Sequence, residues 1–284
     1  MNSFDYHSQV DKAGILRFFM ITIFGKENIR SIRKIGFVGI KPFIFIFLFL
    51  TWISGCSRPI QPKSDSITLE LGEVTYIRYF DVMDKVTFEG DEAIRLSDLV
   101  DSAVTDYPSI YAYRIIGSDG FYAAKKGSPD NLWEHMQNGY LKLDTRRVAF
   151  EPSLGLEGRY YVKDVVSIEL LRKIDTRFGS EETFRFFLVQ EMNATTYPDS
   201  TDALFGGRTG IKLSDFIDTS LTYTPEDYSF TLNSVEGEKK TLSWAEIQTG
   251  WWLFGLDITK FYPDLGADSR ISRLEAIELT PVFK

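Results

Sequence analysis

A repeated residue pattern, alternating apolar runs broken by glycine turns, and short helix-start signals predict the fold class. It is α+β: two tandem homologous mixed modules, β-rich with short helices, behind an N-terminal leader. The repetition is the strongest of these observations. Ile94-Arg95-Leu96-Ser97-Asp98-Leu99-Val100-Asp101-Ser102 aligns with Ile211-Lys212-Leu213-Ser214-Asp215-Phe216-Ile217-Asp218-Thr219 at an offset of 117. The same offset pairs Thr105 with Thr222, Pro108 with Pro225, Tyr111 with Tyr228 and Gly120 with Gly237. At an offset of 111, Trp133, Met136, Gln137, Gly139 and Tyr140 meet Trp244, Ile247, Gln248, Gly250 and Trp251. Both copies close on Ile-Glu-Leu, at 168–170 and 277–279. Two long copies suit two compact domains rather than a solenoid of many short units. Their expected bounds are 67–175 and 178–284.

Taken in order, the first copy opens with a strand over 67–71. Ser97 then reads as the N-cap of a short helix whose apolar face is Leu96, Leu99, Val100 and Ala103. Residues 111–115 alternate like a strand, Gly117-Ser118-Asp119-Gly120 turns the chain, and 121–124 return it. A helix from Ser128-Pro129 to Gly139 and a closing strand over 161–171 complete the copy. In the second copy, 184–189 reads as the opening strand and Ser214 as the first cap. Residues 229–233 and 239–242 form the hairpin, and 274–279 the closing strand. Ser243-Trp244-Ala245-Glu246 is a capping-box pattern with Leu242 and Ile247 as its hydrophobic staple. Gly250 reads as the left-handed residue ending that helix.

Ahead of these copies stand eleven nearly unbroken apolar residues, 43–53, preceded by Arg30, Arg33, Lys34 and Lys41 and followed by Ser54, Gly55 and Cys56. A positive flank, a short apolar core and a small-residue cleavage site form a secretory signal, and the run is shorter than the roughly 20 residues that span a bilayer. Ile53-Ser54-Gly55-Cys56 resembles the lipobox of bacterial lipoproteins. The resemblance implies that Cys56 receives a diacylglyceryl group and becomes the acylated N-terminus. Acyl chains contribute about 0.8 kcal/mol per buried methylene, so two or three hold a protein on a membrane. The competing reading is a signal-anchor helix with an incidental cysteine. On the lipobox reading, 1–55 is leader and signal peptide, with 1–29 reflecting a start assigned too early. Residues 56–66, with two prolines and no periodicity, form the lipidated cysteine and a flexible tether. The expected address is the cell envelope. Ser57 in place of aspartate favours the outer over the inner membrane where a cell has two.

Beyond Cys56 the chain carries 25 Lys and Arg against 37 Asp and Glu. That acidity argues against nucleic acid and against a second, electrostatic attachment to anionic lipid. Cys56 is the only cysteine, so its modification excludes disulfides, thiolate metal sites and cysteine nucleophiles. His135 is the only histidine of the mature chain, which excludes a two-histidine metal centre.

Asp119-Gly120-Phe121 and Tyr161-Val162-Lys163-Asp164-Val165-Val166-Ser167-Ile168-Glu169-Leu170 are similar to the small molybdopterin-binding, sulfite oxidase-like domain, mainly over 94–170 with a weaker echo in 211–279. The resemblance implies a scaffold. Its catalytic members hold molybdenum through a protein cysteine and the pterin phosphate through Arg, Lys and His, and neither pattern is present beyond Cys56. No cofactor and no metal are therefore expected.

Other candidate chemistry has a plainer reading beside it. Ser97, Asp98 and Asp101, repeated as Ser214, Asp215 and Asp218, are a conceivable carboxylate or calcium site, but also what helix starts favour. Asp81, Asp84, Glu89, Asp91 and Glu92 are a conceivable oxygen-ligand cluster or a solvated acidic loop. His135 lies beside Trp133 and Glu134 without a nucleophile motif. No catalytic residue is assigned. Trp133, Tyr140, Trp244, Trp251, Trp252, Phe254, Phe261 and Tyr262 gather in equivalent parts of the copies. Adjacent Trp251 and Trp252 on a strand face opposite ways, so one of them is the expected exposed ligand surface. The expected function is a membrane-anchored, non-catalytic lipoprotein presenting a surface to a protein, small molecule or glycan. The rivals are an oxidoreductase on the molybdopterin-binding scaffold and a glycan binder using an exposed tryptophan.

Overall fold

The structure, a computed structural model, describes residues 65–179, 182–217 and 224–282. Ile53, Ser54, Gly55 and Cys56, the tether through residue 64, and Asp218, Thr219 and Thr222 lie outside these residues.

The described chain is β-rich with few, short helices. In order come β1 (Ser66–Leu71), β2 (Val74–Tyr79), β3 (Val86–Phe88), β4 (Asp91–Arg95), helix α1 (Leu96–Leu99), β5 (Tyr111–Gly117), α2 (Trp133–Gln137), β6 (Gly139–Lys142), β7 (Arg147–Phe150) and β8 (Val165–Phe178). Then follow β9 (Glu182–Leu188), β10 (Thr195–Thr196), β11 (Thr209–Lys212), β12 (Tyr228–Ser234), β13 (Lys239–Leu242), α3 (Trp244–Ile247), β14 (Gly250–Leu253), β15 (Ile258–Phe261) and β16 (Leu274–Pro281). One mixed sheet runs β13-β12-β16-β8-β1-β2, with β5 and β9 also paired to β8. Two four-stranded antiparallel sheets, β3-β4-β6-β7 and β10-β11-β14-β15, stand apart from it.

β8 organises the molecule. Its first half pairs parallel with β1, Thr68 opposite Ser167, and antiparallel with β5, Arg114 opposite Glu169. Its second half pairs parallel with β16, Ala276 opposite Asp175, and antiparallel with β9, Phe186 opposite Asp175. Past an irregularity at Val165–Ser167, even-numbered residues from Ile168 to Ile174 face inward. Ile168 and Leu170 enter one core with Leu69, Leu96, Tyr113 and Phe150. Ile174 enters the other with Leu213, Phe230, Trp252 and Phe261. At the midpoint, buried Arg172 donates to the carbonyls of Ile110 (3.2 Å) and Leu274 (2.5 Å) and to Asp257 (3.2 and 3.3 Å).

Contacts of one kind recur around the two cores. Tyr113 and Trp133 tilt together at 5.8 Å and 37°, Phe230 and Trp244 at 5.5 Å and 38°. Arg95 lies 5.8 Å over the Tyr140 ring and Lys212 5.8 Å over Trp251. A Cβ on Gly139 would meet Leu96 at 2.7 Å and Phe150 at 2.8 Å, and one on Gly250 would meet Leu213 at 2.5 Å and Phe261 at 2.7 Å.

Several expected elements shift. Leu96 is fully buried, which starts α1 one residue before Ser97, so Arg95 takes the cap position and Ser97 caps nothing. Ser214 sits likewise inside a 3₁₀ turn, Leu213–Phe216. The return strand at 121–124 is absent, and Asn131 bridges Tyr113 instead. α2 begins at Trp133 rather than Ser128. Residues 184–188 lie in β9 and Val189 opens the 3₁₀ turn after it; β9 follows a strand rather than opening a copy, because β8 runs on through residues 175–178 where the boundary between copies was expected. Gly250 has no left-handed φ; crowding by Leu213 and Phe261 requires it. The capping box holds, with the Ser243 amide donating to Glu246 Oε2 at 2.7 Å.

Candidate functional site

Polar, charged and aromatic groups converge at one cleft, of about 260 Å³, where β5 and the loop after it meet β9 and the turn after it. Its lining includes Arg114, Tyr122, Pro129, Asp130, Phe186 and Glu191. Arg114 stands on β5, where alternation turns Tyr113 into the core and the guanidinium outward. Asp130 grips it bidentately, Oδ1 to Nε at 3.1 Å and Oδ2 to Nη2 at 2.9 Å. Glu191 accepts from the same Nη2 at 3.0 Å, and Glu169, its cross-strand partner, lies 3.7 Å from Nη1. The Tyr122 ring packs 4.8 Å from the guanidinium carbon.

Burial opposes the charge on Arg114, but the hydrogen bonds and charge of Asp130, with Glu191, outweigh it and raise its pKa. Glu169 is raised as well. Burial comes first, Arg114 opposes it, and Glu70, its partner across the parallel ladder, reinforces it. Three carboxylates thus face one cation whose planar fork is pre-oriented by a buried partner. The cleft is smaller than the roughly 300–1,000 Å³ of drug-sized sites, so it suits one side chain or a small polar group.

The residues singled out from sequence do not gather there. Trp251 and Trp252 do face opposite sides of β14, yet both are buried, at 8% and 4% exposure, so the expected exposed ring is not found. Trp252 lies in the second core with its indole N–H on Asp257 at 2.7 Å. Trp251 is covered by Tyr197 and Phe205 from the loop between β10 and β11, and donates to Thr195 Oγ1 at 3.1 Å. His135 is half-buried, and burial lowers its pKa. Its Nδ1 accepts from the Leu132 amide at 3.4 Å, so it closes the start of α2 as Glu246 closes α3.

The acidic stretch is shared among cations. Glu89 and Asp91 each meet Lys142 at 2.8 Å, and Glu92 meets Lys85 at 3.3 Å. Asp101 accepts from Arg78 and from the Ala103 amide, and the Ser97 and Ser214 hydroxyls lie 3.3 and 3.4 Å from Asp98 and Asp215. Among the described residues no group of three His, Cys, Asp or Glu is arranged to hold a metal. None of their helices is long and apolar enough to cross a membrane.

Arg114, Asp130 and Glu191 were missed from sequence. The available signal was a lone cation in the apolar strand 111–115; its partners lie 16 and 77 residues away. No protein-family model, curated protein or solved structure matches the chain.

Proposed function

We propose that this chain is a non-catalytic lipoprotein of the cell envelope, anchored through acylated Cys56, with a binding surface at the Arg114 cleft. The observation that carries the anchor is the lipobox pattern Ile53–Cys56, set between an apolar run and a proline-containing segment that leads to β1. The soluble part reads as two tandem copies of one β-rich module, the first ending and the second beginning within β8. The matched Tyr113/Trp133 and Phe230/Trp244 pairs and the crowded glycines 139 and 250 support that reading beyond residue identity. Because Trp251 and Trp252 are buried, the ligand surface is assigned to the cleft instead.

Mass spectrometry of protein recovered from membranes tests the anchor. The expected N-terminal peptide begins at Cys56 with a diacylglyceryl thioether, and Cys56→Ala should leave the leader attached and the protein unacylated. A free thiol on a chain still joined to its leader would refute the proposal. Turnover of a substrate, abolished by changing one carboxylate, would refute the non-catalytic part.

A further inference from the structure

Among the described residues, ten large hydrophobic side chains are markedly exposed, and four of them gather at one place. Ile77 and Tyr79 stand on one face of β2, the last strand of the mixed sheet, and Val82, at 80% the most exposed of the ten, follows in the next turn. Val166 is the fourth. It lies next to Val165, whose carbonyl shares the Arg146 guanidinium with the carbonyl of Ser66. Ser66 is also the cross-strand partner of Tyr79, and the Phe80 amide donates to Asp65 O at 2.8 Å. The strip therefore surrounds the point where the chain from Cys56 joins the sheet.

Eight residues stand between Cys56 and Asp65, so over nine steps of about 3.3 Å each the entry to the sheet is held within about 30 Å of the acyl chains. A tether this short keeps the local concentration of bilayer high, so a weak apolar contact is populated. Val and Ile side chains partition into hydrocarbon, and a Tyr ring settles at its boundary. Asp65, Asp81 and Asp84 border the strip, so the attraction is apolar and anionic headgroups would oppose it.

Resting on the lipid-anchor reading above, we infer that the β2 strip, Ile77, Tyr79 and Val82 with Val166, is a second membrane contact, seated in the headgroup boundary of zwitterionic lipid. It fixes how the folded part stands on the bilayer.

The test uses full-length, processed protein reconstituted in phosphatidylcholine vesicles. Acylation consumes Cys56, so a single environment-sensitive fluorophore is placed by Val82→Cys, or as a control by Leu204→Cys, where the side chain is 68% exposed outside the strip. The expected result is a blue-shifted label at 82, quenched severalfold more by spin-labelled lipid than the label at 204. Adding phosphatidylglycerol should reduce that difference. A label at 82 as accessible to aqueous quencher as that at 204, on protein that pellets with vesicles, overturns the membrane contact and leaves the anchor standing. Shielding at 82 without lipid quenching points to a protein partner and overturns it too. Protein that stays in the supernatant overturns the anchor reading and this inference together.

Discussion

Arg114 holds carboxylates of very different burial, and that difference ranks them. The Asp130 side chain is 2% exposed, whereas that of Glu191 is 61% exposed. Losing the guanidinium would strand the Asp130 charge in a dry site. Arg114→Ala is therefore expected to cost about 3 kcal/mol, read from urea unfolding, because breaking a buried pair leaves an uncompensated ion. Arg114→Met with Asp130→Asn should recover most of that, and Glu191→Gln should change stability by less than about 1 kcal/mol. His135 makes a pH prediction. Its folded pKa lies below the ordinary 6.5 because burial resists protonation. Its contribution is complete above about pH 6.5 and is lost as the pH falls toward the folded pKa, because the unfolded chain binds a proton that the fold refuses. Urea midpoints of wild type and His135→Gln, compared between about pH 7.5 and 5.5, should show a shallower decline in the variant. Neither role could be read from residue order. The histidine was visible as solitary, but its acceptor bond to Leu132 depends on where α2 begins.

At the scale of elements, the crowded glycines separate packing from conformational freedom. Gly139 and Gly250 open β6 and β14 where Leu96 with Phe150, and Leu213 with Phe261, leave no room for a methyl group. Gly250→Ala should cost about 1–3 kcal/mol through forced displacement of core side chains. Gly158→Ala, with open space and no left-handed φ, should stay within about 0.5 kcal/mol in the same unfolding measurement. The alternating strands at 67–71, 111–115, 229–233 and 239–242 and the Ser243 box were legible, because their signals are local. The buried state of Trp251 was not. It depends on Tyr197 and Phe205, brought over the β14 face by an irregular loop that has no periodicity to read. The missing return strand at 121–124 has a similar cause: Asn131, further along the chain, occupies the pairing position on Tyr113.

For the whole molecule, the matched offsets of 117 and 111 were legible, but the run of β8 on through residue 178 was not. No break in residue pattern marks the middle of β8, since both halves keep the same inward parity, from Ile168 and Leu170 to Ile174. One strand supplies side chains to both cores, so they should melt together. Tryptophan fluorescence and far-UV circular dichroism are expected to report one coincident urea transition. Arg172→Ala should lower the unfolding free energy by about 2–3 kcal/mol without splitting the transition, because buried carbonyls of Ile110 and Leu274 lose this donor and the Asp257 carboxylate loses one of its donors. Two separated transitions would contradict this picture.

The same continuous strand sets how the polypeptide can be divided. A protease or a gene truncation aimed between the halves meets a hydrogen-bonded ladder rather than a pliable linker, and each fragment would inherit a raw, sticky border. A freestanding half is therefore obtainable only if that border is given a substitute strand. In a chain anchored as proposed, the distal half has no hinge there about which to swing.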